Sequence, residues 1–168
     1  MLKRPMFIRK NLVFALMTLC GLSIGCSQSD TEPAFFADLV IVNGKVTIDG
    51  NPVSGATVNF IPADLSQSGG IGTGVTVITG DYDLITPQPG SLESQPKGII
   101  PGTYKVTITK LQMPDGSPVP EGTDDAMAMA MDAREAIPEK YSDPEKTELL
   151  VEVDHTSPFV QNFELQRE

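Results

Sequence analysis

Nucleophilic catalysis needs a nucleophile held beside a base. The chain has one histidine, His155, in Asp154-His155-Thr156-Ser157-Pro158. Acid, imidazole and hydroxyl follow one another there, but sequence neighbours seldom form a triad. The polar run before Pro158 reads as a turn, so His155 is expected at the surface and not as a base. Met127, Met129 and Met131 alternate, and their thioethers are the soft donors that Cu(I) selects. On a helix that alternation spreads them around the axis, with only Met127 and Met131 on one face. Packing is therefore their expected use. Asp81, Asp83, Asp124, Asp125 and Asp132 are the oxygen donors that Ca²⁺ takes. No Asp-x-Asp-x-Asp-Gly loop gathers them, and Asp81-x-Asp83 puts only two carboxylates on one strand face. The acids are expected to form a solvated surface. The chain lacks a phosphate-cradling motif, and with no Trp it has little to offer a sugar as an aromatic platform. The expectation is no catalytic residue, no metal, no cofactor and no enzymatic activity.

The residue with an expected chemical role is Cys26. Ahead of it stand Lys3, Arg4, Arg9 and Lys10 and no acid, then an apolar run from Leu12 to Leu22, then small residues. Basic head, apolar middle and small-residue exit make a secretory signal over 1–25. The apolar run is shorter than the roughly 20 residues a spanning helix needs. The exit Leu22-Ser23-Ile24-Gly25-Cys26 resembles a bacterial lipobox. Gly25 and Cys26 match it; Ser23 stands where Leu is usual, and Leu22 lies one place early. The resemblance implies a diacylglyceryl thioether on Cys26, cleavage before it and acylation of the new amino terminus. Three acyl chains would anchor firmly, at about 0.8 kcal/mol per buried CH₂. Ordinary secretion, with Cys26 a stray thiol, is the alternative. Cys20 follows Leu19, a poor neighbour for cleavage. The chain has 2 cysteines, both in or at the edge of the signal, so the mature chain has no disulfide framework to rely on.

Removing 25 residues from 168 leaves 143, about one domain's worth. The same cut takes four basic residues from a net charge of −10 and leaves −14. That surface repels nucleic acid and anionic lipid heads, so contact with the membrane is expected through the lipid alone. Ser27 is not the Asp that retains some lipoproteins at the inner membrane, which favours the outer membrane.

Residues 26–38 begin polar and contain Pro33; they read as a tether. Phe35 and Phe36 fit the tether and the fold equally well. From residue 39 onward the pattern is short, β-branched, period-two segments between Gly, Pro and Asp turns. They run Leu39–Val42, Lys45–Ile48, Val53–Ile61, Gly74–Thr79, Tyr82–Ile85, Tyr104–Thr109, Leu149–Val153 and Phe159–Leu165. About seven strands of this kind predict an all-β fold, a seven-stranded antiparallel Ig-like sandwich over 39–168. Residues 63–72 and 87–98 read as loops. Asp124 to Ala136 is dense in Ala and Met, opened by acids and closed by Pro138, and reads as a short helix within an insertion over 111–147.

Val42-Asn-Gly44-Lys-Val46 with Gly50-Asn-Pro52-Val53-Ser-Gly55-Ala56-Thr-Val58 resembles the opening of carboxypeptidase regulatory-like domains, whose pattern is G-x-V followed by G-x-P-[LV]-x-G-A-x-V. Thr79-Gly80-Asp81-Tyr82 is similar to a shortened inner segment of that family, and Pro101-Gly102-Thr103-Tyr104-Lys105-Val106 to its P-G-x-Y-x-V strand. Ile137-Pro138-Glu-Lys-Tyr141 and the last strands resemble the end of small planctomycete-type lipoproteins that carry this domain. The resemblance implies a transthyretin-like seven-stranded sandwich. A transthyretin-like purine hydrolase is set aside, because that family uses several histidines and a Tyr-Arg-Gly-Ser tail. Val46, Val58, Phe60, Tyr104 and Val106 suit a core face. A motif of this kind specifies a fold and not a chemistry. The functional expectation is a membrane-anchored, non-enzymatic lipoprotein whose sandwich supports an envelope protein partner. The alternative is a module binding carbohydrate, peptide or Ca²⁺ through 63–72, 87–98 and 111–147. The sequence does not specify an oligomeric state.

Overall fold

The structure, a computed structural model, describes residues 38–64, 69–88 and 95–167. Cys26, the signal over 1–25 and all of the expected tether except Asp38 lie outside the described residues. The elements in order are β1 (Val42–Ile48), β2 (Asn51–Pro52), β3 (Thr57–Pro62), β4 (Gly72–Val75), β5 (Asp81–Asp83), β6 (Gly102–Thr109), β7 (Leu111–Gln112), α1 (Asp125–Ala130), β8 (Arg134–Glu135), α2 (Glu139–Ser142), β9 (Leu150–Val153), β10 (Phe159–Val160) and β11 (Phe163–Leu165).

The chain is mostly β, in two principal sheets. One is the ladder β4-β3-β6-β9, antiparallel throughout. The other is built on β1, with β2 and β5 antiparallel to it and β10 and β11 parallel to it. Period-two alternation turns one side of each strand inward. Val42, Val46 and Ile48 of β1, with Phe163 and Leu165 of β11 beside them, thereby face Val58 and Phe60 of β3, Tyr104, Val106 and Ile108 of β6, and Val151 and Val153 of β9, all within one buried cluster. The Phe60 ring meets Phe163 edge-on at 6.1 Å, which is direct contact between the two sheets. Val46, Val58, Phe60, Tyr104 and Val106, the expected core face, are each 0% exposed. No buried side-chain polar atom among the described residues lacks a hydrogen bond. Thr76 shows how: its hydroxyl accepts from the Ala56 N–H at 2.8 Å.

Three expectations change. The pairing is not wholly antiparallel, because the final strand runs alongside β1 in the same direction. Alternation is identical in the two kinds of ladder, so it carries no direction. Asn43-Gly44, read as a break between two strands, lies inside β1. A Cβ on Gly44 would stand 1.6 Å from the Gln161 carbonyl oxygen, so this glycine serves close backbone approach and not a turn. That carbonyl marks the break between β10 and β11. It accepts from the Tyr82 hydroxyl at 2.8 Å, while the Gln161 N–H reaches the Asn43 carbonyl. The Asn162 side chain then takes the Lys45 N–H at 2.9 Å. The strand expected at Gly74–Thr79 lies two residues earlier, as β4 over Gly72–Val75; Val77 to Gly80 close a turn instead, with the Gly80 N–H on the Val77 carbonyl.

The insertion holds a shorter helix than expected. Asp124 caps α1 by accepting from the Met127 N–H at 2.8 Å, and Asp132, at φ 64°, leaves the helical path. The next residues, Arg134 and Glu135, pair with Gln112 and Leu111. A second helix, α2, follows Pro138 and was not expected, since its four residues are too few to show a period. Asp124→Ala should destabilise α1 by about 1 kcal/mol. Hydrogen exchange would then quicken at 125–130 while the strands keep their protection; faster exchange throughout would contradict a purely local cap.

Candidate functional site

The structure does not assemble the sequence candidates into one place. His155 is exposed. The Asp154 carboxylate accepts from the Thr156 N–H at 2.7 Å, and that backbone bond, the largest influence, holds its pKa below the usual value. The acid next to the histidine is thus engaged in a turn. Ser157 faces elsewhere, its hydroxyl accepting from the Ile41 N–H.

The methionine expectation is corrected. Met127, Met129 and Met131 are 56%, 62% and 41% exposed, and Ala128 at 1% is the buried face of α1. Ala is small enough to seat a one-and-a-half-turn helix closely, which leaves the longer side chains outside. The acids are dispersed as well. Asp81 and Asp83 flank buried Tyr82 on β5, and Asp124 and Asp125 open α1. Asp81 accepts from the Thr79 hydroxyl at 2.6 Å and sits 3.4 Å from Lys45. The Thr79 bond and then Lys45 keep its pKa low. Burial pushes the Tyr82 hydroxyl well above the ordinary tyrosine range, so it stays a neutral donor to Gln161. Among the described residues no three His, Cys, Asp or Glu side chains converge as a metal site.

Three surface hollows are open to solvent, and most of the charges that line them are engaged. One lies between Thr47, Asp49, Glu164 and Arg167, where Arg167 and Asp49 stand 3.8 Å apart. A second lies over the Gly44–Tyr82 seam. A third, in the insertion, is lined by Glu135, Glu139 and Asp143. There Glu135 accepts from the Lys110 and Ile137 N–H groups, and Lys146 bridges Glu139 and Asp143. Its pKa is raised chiefly by the bond to Glu139.

What the surface offers instead is apolar side chains and an open sheet edge. Leu150 is 65% exposed, Val160 61% and Ile78 84%. Among the described residues β9 ends its sheet and pairs with β6 alone. The Val106 N–H donates to the Leu149 carbonyl at 2.8 Å, so Leu149, Val151 and Val153 turn their peptide groups toward β6. Leu150 and Glu152, at the alternate positions, turn theirs to the open side. The sequence showed this strand but not its place at the edge, which depends on which segments pair.

No family model matches the chain, and no curated protein matches it. Among solved structures, a 9R-lipoxygenase from Cyanothece PCC8801 aligns at a TM-score of 0.33 and 14% identity, over 81% of this chain and 17% of that one. The chain thus spans about a sixth of that protein's length, and a likeness at this score establishes no shared fold. No helix among the described residues is long and apolar enough to cross a membrane.

Proposed function

We propose that this protein is an exported lipoprotein, held at the outer membrane by acyl chains on Cys26, whose sandwich is a non-enzymatic module for a protein partner in the cell envelope. The observation that carries the reading is the Gly25-Cys26 exit behind a basic and then apolar head. A thiol at that exit is the nucleophile for thioether formation, and the mature chain has no other cysteine to compete with it. The motif spanning Gly44 to Val58 supports a carboxypeptidase regulatory-like, transthyretin-like sandwich, a fold that presents surfaces and edges more than clefts. Exposed Leu150 and Val160 beside unpaired backbone are the materials of a protein contact.

Cys26→Ser removes the sulfur that would carry the lipid. The variant is expected in the soluble fraction after cell lysis and high-speed sedimentation, where the native protein pellets and re-enters solution only with detergent. Persistent sedimentation of Cys26→Ser with membranes would overturn the anchor. Calorimetry of the purified protein with glycans and with Ca²⁺ is expected to give no heat of binding, and micromolar binding of either would favour the ligand-binding alternative.

A further inference from the structure

We propose that the open edge of β9 takes up an extended basic polypeptide segment as an added strand. This rests on the reading of the sandwich as a protein-contact module and names the strand and the chemistry of its partner. The peptide groups of Leu150 and Glu152 point away from β6, and no described strand lies on that side. Each offers one donor and one acceptor, so an antiparallel or parallel segment finds four backbone bonds ready placed.

The charge along the edge selects the partner. Glu148, Leu150, Glu152 and Asp154 alternate on the exposed face, while Val151 and Val153 face the core. None of the ion pairs among the described residues engages Glu148, Glu152 or Asp154. Lys105 lies opposite Leu150 in register and is the one cation on the neighbouring strand, which leaves the edge net acidic. A second copy of the chain is a poor occupant. Pairing β9 with itself so that inward residues stay inward sets Glu148 against Asp154, Glu152 against Glu152, or Glu148 against Glu152, and like charges directly opposed destabilise a ladder. A segment with Lys or Arg at alternate positions meets the same acids favourably. Apolar residues between those cations would extend the row begun by Val151 and Val153. The net charge of −10 for the whole chain adds long-range attraction for such a segment.

The edge geometry supplies a variant that should leave the fold intact. Proline removes an N–H, and at residue 152 the lost N–H is one that β6 does not use, a position where edge strands accept proline. The experiment titrates the full lipidated protein in detergent with a labelled peptide of about eight residues alternating lysine and valine, read by fluorescence anisotropy. The peptide is expected to bind, and its glutamate–valine counterpart is not. Glu152→Pro should weaken binding about tenfold or more with the melting midpoint nearly unchanged. Glu152→Lys should weaken it by charge alone, more so at low salt. Glu164→Lys, on the other sheet, controls for bulk charge and should leave affinity nearly as it was. Equal binding by Glu152→Pro or Glu152→Lys, equal binding of the glutamate–valine peptide, or no binding of the lysine–valine peptide would each overturn the proposal. So would a concentration-dependent dimer that Glu152→Pro dissolves, since that outcome makes a second copy the occupant. The anchor stands or falls separately, on the fractionation of Cys26→Ser.

Discussion

Phe60→Ala is expected to lower the stability of the domain by about 4 kcal/mol. Phe60 is fully buried, and its ring touches Tyr104 at 5.9 Å within its own sheet and Phe163 at 6.1 Å across the core. Deleting it loses the transfer energy of the ring and leaves a cavity between two sheets that cannot both move inward. No cysteine follows Cys26 in the sequence, so no disulfide among the described residues limits the damage. For a domain of this size the thermal midpoint should fall by roughly 15 °C. Phe60→Leu, which keeps most of the volume, should recover more than half of that loss. A midpoint within a few degrees of the native value for Phe60→Ala would mean that Phe60 does not join the two sheets.

Gly44→Val is expected to cost about 3 kcal/mol by a different route. Nothing is removed; a side chain is forced to within 1.6 Å of the Gln161 carbonyl oxygen, with the Tyr82 ring behind it at 3.1 Å. Backbone cannot yield as a flexible side chain would, so the last strand must leave β1. Hydrogen exchange should quicken at 159–165 before it changes in β3 or β6. Gly55→Ala is the comparison. Gly55 has φ +69° with nothing near the added atom, so that change carries only the conformational cost of a left-handed residue, about 1 kcal/mol. Equal losses for the two variants would show that Gly44 matters for its dihedral angles and not for the approach of Gln161.

These two residues also mark how much was legible beforehand. Phe60 could be placed in the core from Thr57 to Pro62 alone, because alternation beside a β-branched neighbour leaves one inward face. The same rule found Val46, Val58, Tyr104 and Val106. Gly44 could be read as a position intolerant of Cβ, but not as the middle of a strand, since Asn-Gly is also the commonest turn dipeptide. What crosses over it, Gln161, lies 117 positions later, and no local pattern links the two. The parallel course of β10 and β11 escaped for a related reason: direction is set by the path from β9 across to the other sheet, not by the strand's own residues. The methionines misled because helical periodicity locates a face only when the helix is longer than the six residues of α1. Ala128, the least conspicuous residue there, proved to be the buried one. Candidate chemistry fared differently. Asp154-His155-Thr156-Ser157 read as a turn from Pro158 and the polar run, and the Asp154–Thr156 bond makes it one. The open edge at Leu150 and Glu152 was present in the letters as Glu148-x-Leu150-x-Glu152-x-Asp154. Its meaning depended on β9 standing last in its sheet.

The mass of the mature amino terminus tests the anchor most directly. Protein extracted with detergent from membranes of the native host, digested and analysed by mass spectrometry, is expected to give an amino-terminal peptide that begins at Cys26 and carries the added mass of a diacylglyceryl group and an amide-linked acyl chain. A peptide beginning elsewhere, or one beginning at Cys26 with no added mass, would contradict the account.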